Sequence, residues 1–121
     1  MKRLTEKEEA LMAIIWQKER AFAKEVREQL PAPKPHINTV STALRKLVAK
    51  GVLQIEDFGS THRYYPTISK EDYTAKFISP KLKGLFGNSV KNVVAFFAKE
   101  EKMSVEDLKD VIRMIEEEDN K

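Results

Sequence analysis

Apolar side chains recur at helical spacing through the first thirty residues. Leu11, Ile14 and Ile15 share one face of a predicted helix over residues 5–18, whose start carries the Thr-x-x-Glu pattern of a capping box. A short extended step follows, and residues 23–30 have the apolar spacing of a second, shorter helix that the next proline ends. The pattern therefore predicts two helices in this region.

The third predicted helix, residues 38–50, has the most regular apolar stripe in the N-terminal half. Its apolar positions follow the i, i+3, i+4, i+7, i+8 spacing of a core-facing surface, and they are Val40, Ala43, Leu44, Leu47 and Val48. Three prolines in residues 31–35 make a rigid connector before it, and Gly51 supplies a left-handed stop after it.

Two β-strands are predicted next, at residues 52–56 and 63–68, and the segment between them has turn chemistry centred on Gly59. The order of helix, short helix, helix and β-hairpin is that of a winged helix-turn-helix with a two-stranded wing. We assign residues 1–70 to this domain.

The remaining residues, 71–121, are predicted to form a helical domain, so the fold class is mainly α within α+β. A linker helix over 70–83 precedes two amphipathic helices that begin near Ser89 and Ser104. Their apolar surface exceeds what two short helices hide by packing on each other, which predicts a dimer interface. The predicted dimerisation residues are Val90, Val93, Val94, Phe97, Leu108, Val111, Ile112 and Ile115.

Composition and charge limit the classes of function that the chain can have. The chain has 121 residues, no cysteine and a net charge of +3. Residues 1–70 carry +5 and residues 71–121 carry −2, so the first domain is the one expected to meet a polyanion. Disulfides and thiolate metal sites are excluded, and no apolar run approaches the roughly 20 residues of a membrane span. We expect a soluble, cytoplasmic protein.

The polar face of the third helix is the candidate site. Short hydroxyl and amide side chains at its start permit close approach to base edges. The cationic side chains later in the helix can bind guanine or phosphate. A solvated face is the plain alternative, but the basic hairpin that follows favours DNA. The predicted DNA-binding residues are Asn38, Thr39, Ser41, Thr42, Arg45 and Lys46 on the helix, and His62, Arg63 and Tyr64 on the wing. Strand alternation predicts that either Tyr64 or Tyr65 packs into the core instead.

Catalytic and metal-binding patterns are missing from the sequence. His36 and His62 are far apart, without cysteine or a paired-histidine motif, and there is no nucleophile elbow or glycine-rich phosphate loop. We therefore predict neither an enzyme nor a cofactor.

Taken together, these segments resemble the penicillinase-repressor family of bacterial regulators. The resemblance rests on residues 4–16, which end in Ile-Trp, on residues 38–53 with their Lys-Gly turn, and on the Arg-Tyr-Tyr-Pro string at 63–66. It implies a winged-helix domain, a helical dimerisation domain and repression at inverted-repeat operators. In several members a membrane sensor-protease pathway relieves repression by cleavage in the dimerisation domain.

Two departures from the family pattern bear on regulation. The C-terminal cysteine cluster of the copper-responsive branch is absent, which argues against metal sensing. Where the β-lactam-responsive members have an Asn-Phe cleavage pair, this chain has Phe96-Phe97, which becomes the candidate cleavage site for a regulatory protease. A winged-helix module that binds only proteins is the alternative function, and the cationic face of residues 38–46 favours DNA over it.

Overall fold

The computed structural model describes residues 1–119, and it is mainly helical with one small antiparallel sheet, as predicted. It divides into two compact units, Met1–Phe77 and Ile78–Lys121. The elements of the first unit are α1 Glu6–Lys18, β1 Ala21–Phe22, α2 Ala23–Gln29, α3 Ile37–Ala49, β2 Leu53–Asp57, β3 His62–Pro66 and α4 Lys70–Tyr73. A π-helical segment Thr74–Ile78 is followed by α5 Ser79–Leu85, α6 Val90–Glu100 and α7 Val105–Asp119.

Local signals place the helix ends close to the predicted positions. The capping box of α1 is present: the Glu8 amide donates to Thr5 Oγ1 at 3.2 Å and the Thr5 amide donates to Glu8 Oε1 at 3.0 Å. After α3, Gly51 has φ +84°, a conformation that L side chains rarely adopt. The start of α1 and the end of α3 thus lie where their capping residues place them.

The sheet has three strands in the order β1-β3-β2, all antiparallel. The two-stranded wing is present as β2 and β3, which pair from Leu53↔Pro66 to Asp57↔His62. The extended step predicted before α2 is a third strand, since Ala21 pairs with Tyr64 and Phe22 with Arg63. Two residues are too few to show alternation, so the sequence alone did not reveal this pairing.

The core of the first unit lies where the helices meet the inner face of the sheet. Its largest fully buried side chains come from α1, α2 and α3 and from the residues at and just before the start of β2, and they are Met12, Ile15, Val26, Leu44, Leu47, Val52 and Leu53. The apolar stripe of α3 therefore faces the core, which leaves its polar face for solvent or a partner.

Tyr73 ties α4 to the rest of the first unit. Its ring is 2% exposed, and its hydroxyl accepts from the Leu4 amide at 2.9 Å and donates to Glu9 Oε2 at 2.5 Å. Burial raises the pKa of Tyr73, and the hydrogen bond to Glu9 adds to that increase. The Trp16 ring packs 5.6 Å away and its Nε1 donates to the Ile68 carbonyl at 2.9 Å. These contacts make α4 part of the first unit.

The second unit hides little of its apolar surface. No residue between 78 and 119 is buried, and large apolar side chains of α6 and α7 are between 42% and 68% exposed. They are Val90, Val94, Phe96, Phe97, Val105, Val111, Ile112, Met114 and Ile115. Among residues 1–119, no helix is long and apolar enough to cross a membrane.

Candidate nucleic-acid interface

The polar face of α3 is the centre of the candidate interface. Val40, Leu44 and Leu47 are at most 2% exposed on its other side. All six side chains predicted to contact DNA from this helix lie away from that stripe: Ser41 is half-buried, and Asn38, Thr39, Thr42, Arg45 and Lys46 are exposed. Arg45 Nη2 donates to Thr42 Oγ1 at 3.3 Å, one helical turn earlier. This contact holds the guanidinium along the exposed face.

Side-chain hydrogen bonds fix the start of α3. His36 Nδ1 accepts from the Asn38 amide at 3.1 Å, so His36 is the N-cap, a role that the sequence pattern does not indicate. Arg27 Nε donates to the Pro35 carbonyl at 2.7 Å, and Lys34 Nζ donates to the Leu30 carbonyl at 3.0 Å. The connector between α2 and α3 is thereby held, and with it the residues at the helix start.

A groove runs between α3 and the wing. Ser41 and Arg45 line one side, and His62 lines the other with the wing-tip residues Ser60 and Thr61. Lys24 of α2 also reaches this groove. Lys24, Ser60 and Thr61 were not predicted, because nothing in the local sequence places α2 beside the wing tip. The groove adds donors, the Lys24 cation and the Glu25 carboxylate to the face of α3.

A second groove separates the polar face of α3 from the start of α1. Lys46 and Lys50 line it, but their surroundings differ. Lys50 Nζ donates to both carboxylate oxygens of Glu8, at 2.8 and 2.7 Å. Partial burial raises the pKa of Glu8, but the contacts with Lys50 and Thr5 together lower it below its ordinary value. Lys46 has no carboxylate within 4.0 Å among residues 1–119. Lys46 is therefore the cation of this groove that is available to a phosphate.

The two tyrosines of the wing lie on opposite faces of the sheet. Tyr64 is 3% exposed and packs in the core, where burial raises its pKa against the effect of the nearby Arg45 charge. Tyr65 lies on the outer face and its hydroxyl donates to Gln54 Oε1 at 2.5 Å. Strand alternation accounts for the difference. Tyr64 therefore lines the groove between α3 and the wing, but its 3% exposure leaves little surface for direct contact with DNA.

Arg63 also differs from its predicted place. It lies on the outer face of the sheet, where its Nη2 is 3.3 Å from Glu56 Oε2. Its guanidinium carbon is 5.1 Å from the centre of the Phe58 ring and 5.9 Å from that of Phe22. Arg63 and Arg20 together lower the pKa of Glu56. Arg63 thus stabilises the wing by cation–π and ionic contacts, whereas His62 and Tyr64 line the groove.

Replacing Arg63 by alanine is expected to act on stability rather than on phosphate binding. Losing the cation–π and ionic contacts should lower the free energy of unfolding by about 1 kcal/mol. The slope of log affinity against log salt on random-sequence duplex should stay unchanged, whereas Lys46→Ala should reduce it by about 1. Thermal melting and salt titrations measure the two effects. An unchanged melt with a reduced slope for Arg63→Ala would return Arg63 to the phosphate contacts.

A cluster of metal-ligating side chains would be a second kind of candidate site. Within residues 1–119, no group of three or more His, Asp or Glu side chains is arranged to hold a metal ion. The polar face of α3 and its two grooves are thus the arrangement from which we argue function.

Comparison with known proteins identifies the family. The family model described as penicillinase repressor matches residues 4–117. The chain belongs to the penicillinase repressor family. The resemblance noted in the sequence is confirmed, and the protein is a DNA-binding transcriptional repressor with a winged helix-turn-helix.

Individual relatives agree with this assignment. The penicillinase repressor of Bacillus licheniformis is 24% identical over 123 residues, which cover 98% of this chain and 93% of that one. The solution structure of the DNA-binding domain of the repressor BlaI is 28% identical, with a TM-score of 0.51 over 59% of this chain and 88% of that domain. The complex structure of hsRosR-S4 is 12% identical, with a TM-score of 0.55 over 97% of this chain and 90% of its own, and it shows a shared fold alone.

Proposed function

We propose that this penicillinase-repressor family member is a homodimer that binds an inverted-repeat operator through α3 and the wing groove. The observation that carries the proposal is the division of α3 into a buried apolar stripe and an exposed face of hydroxyl, amide and cationic groups. In helix-turn-helix proteins the second motif helix, here α3, enters the major groove with its N-terminal residues at the base edges.

The exposed groups divide into base-reading and phosphate-binding roles. The guanidinium of Arg45 can donate two hydrogen bonds to the two acceptors of guanine. Its hydrogen bond to Thr42 already restricts the side chain, so less conformational freedom is lost on binding. Asn38, Thr39 and Ser41 complete the base-facing set because they are short and lie within the first turns of the helix. Lys46, at the groove beside α1, is assigned to phosphate.

The apolar surface of α6 and α7 supports the dimer. In a single chain Val94 and Ile112 are more than half exposed, and an exposed patch of this kind usually marks an interface. A two-fold axis presents the same patch from both subunits and two α3 helices to an operator. Half-sites one turn apart, about 34–36 Å or a multiple, follow from that symmetry.

Cleavage at Phe96-Phe97 is proposed as the route of derepression. The two side chains are 43% and 44% exposed in α6, so a protease that opens this helix locally can reach the bond between them. Cutting there separates α7 from the DNA-binding unit. The repressor would lose part of its dimer interface while residues 1–77 keep their fold.

Arg45→Ala is expected to reduce operator affinity by roughly 5–150-fold, which corresponds to a lost base contact of about 1–3 kcal/mol. Affinity for random duplex should fall much less. Lys46→Ala is the matched control on the same face, and it should lower the affinity for both duplexes by the same factor. Fluorescence anisotropy with both duplexes at one salt concentration measures the two ratios. Equal losses on operator and random duplex for Arg45→Ala would contradict its role in reading bases.

A further inference from the structure

Charge is strongly segregated within the second unit. Residues 78–99, which include α5 and most of α6, contain four lysines and no acidic residue, for a net charge of +4. Residues 100–119, which include α7, contain nine carboxylates and three cations, for a net charge of −6. We name these the basic segment and the acidic segment. Their sum is small, so the net charge of the unit hides the separation.

The two segments do not neutralise each other within one chain. Among residues 1–119, no lysine of the basic segment has a carboxylate within 4.0 Å. The ion pairs of α7 are internal, between Glu106 and Lys109 and between Asp110 and Arg113. The carboxylates of residues 116–119 are likewise exposed and have no cation within that distance among the same residues. Each segment is left with charge that a partner can match.

Exposed apolar groups accompany the charge in both segments. Leu85 and Val90 are 81% and 56% exposed in the basic segment, and Ile112 and Ile115 are 53% and 56% exposed in the acidic one. Apolar side chains beside charge are typical of a protein interface rather than of a phosphate-binding surface. The partner of each segment is therefore expected to be a protein surface that is apolar and opposite in charge.

We infer that the partner is a second copy of this chain, in which the basic segment of each subunit packs against the acidic segment of the other. A two-fold dimer offers both required surfaces at once, because each copy carries one of each sign. Packing like segments together would instead set +4 against +4 and −6 against −6. This inference rests on the proposed homodimer and adds which surfaces meet.

Charge-reversal variants of the full chain test the arrangement. The basic-segment variant is Lys81→Glu, Lys83→Glu and Lys91→Glu, and the acidic-segment variant is Glu116→Lys, Glu117→Lys and Glu118→Lys. All six side chains are exposed, so the helices keep their own packing. The matched control is Lys2→Glu, Lys7→Glu and Lys18→Glu in the first unit, at positions that are also exposed.

Sedimentation of these variants without DNA measures how strongly each one dimerises. The basic-segment variant changes the charge of its segment from +4 to −2, and the acidic-segment variant changes the charge of its segment from −6 to 0. Each variant alone should form homodimers with a dissociation constant raised at least about tenfold, since the attraction between the segments is reversed in the first and lost in the second. An equimolar mixture of the two should recover part of the dimerisation, because one of its two interfaces again joins a +4 segment to a −6 segment. Two mass-tagged chains identify the restored species as the heterodimer. The control variant should dimerise like the wild type.

Two outcomes overturn the inference without touching the proposed function. If the wild type is a dimer and both segment variants dimerise equally well, the charges do not select the arrangement. If each variant loses dimerisation alone and their mixture recovers none of it, the two segments interact within one chain and not between chains. A wild-type monomer at micromolar concentration would instead overturn the proposed homodimer together with the inference.

The unmodified protein supplies an independent measurement that does not depend on variants folding. Salt screens opposite charges across an interface. The wild-type dimer should therefore dissociate more readily as salt rises from 0.05 to about 0.5 M. A dimer that tightens over that range would contradict the exchange of segments and indicate like-with-like packing.

Discussion

Replacing Ile112 by aspartate is expected to lower operator affinity by roughly 10²–10⁴-fold while each chain stays folded. Ile112 is 53% exposed in the single chain, so the change removes no core packing. In the proposed dimer the same position is covered by the partner, and a carboxylate there is left without a partner in an apolar contact. Without the dimer, the second half-site loses the effective concentration that the first provides.

Sedimentation and operator binding of this variant should change together, and its helical content should not. Met114→Asp is the matched control, because Met114 is 67% exposed on the same helix but lies off the stripe of Leu108, Val111, Ile112 and Ile115. The control should remain dimeric and bind normally. A monomeric Ile112→Asp variant with undiminished operator affinity would contradict the proposed role of the dimer.

Leu44→Ala is expected to reduce the free energy of unfolding of the first unit by about 2–5 kcal/mol. Leu44 is fully buried in the centre of the α3 stripe, and truncation there leaves a cavity that the surrounding side chains fill only in part. The DNA-binding defect of this variant should follow its loss of stability. It should therefore be smallest at low temperature.

Thermal melting of Leu44→Ala and Arg45→Ala compares the two faces of α3 at adjacent positions. Arg45→Ala should melt like the wild type yet bind operator poorly, since its side chain is exposed. A Leu44→Ala protein that melts normally but does not bind DNA would mean that the faces of α3 are assigned the wrong way round.

Features set by neighbours in sequence could be predicted from the sequence. The α3 stripe follows from a period that brings Val40, Leu44 and Leu47 to one side, and the structure buries all three. The capping box of α1 and the stop at Gly51 need only nearby residues, and they are found where the sequence places them. The polar face of α3 is predictable for the same reason, because it consists of the positions that lie outside the apolar stripe.

Features that depend on distant contacts were missed. The pairing of Ala21 with Tyr64, and the contact of Tyr73 with Leu4 across 69 residues, exist only once the chain has folded. The charge of Arg63 is visible in the sequence and predicts a contact with DNA, whereas the rings and the carboxylate that hold it lie on β1, on β2 and in the turn after β2. The choice between Tyr64 and Tyr65 likewise needs the strand register.

The measurement that tests the central proposal most directly is selection of duplexes bound by the full chain from a random-sequence pool. We expect the enriched duplexes to contain an inverted repeat whose half-site centres are 10–10.5 base pairs, or a multiple, apart. The Arg45→Ala variant should no longer distinguish these duplexes from the starting pool. Enrichment of a single asymmetric site, or no enrichment at a salt concentration where the chain binds DNA, would contradict operator binding by a two-fold dimer.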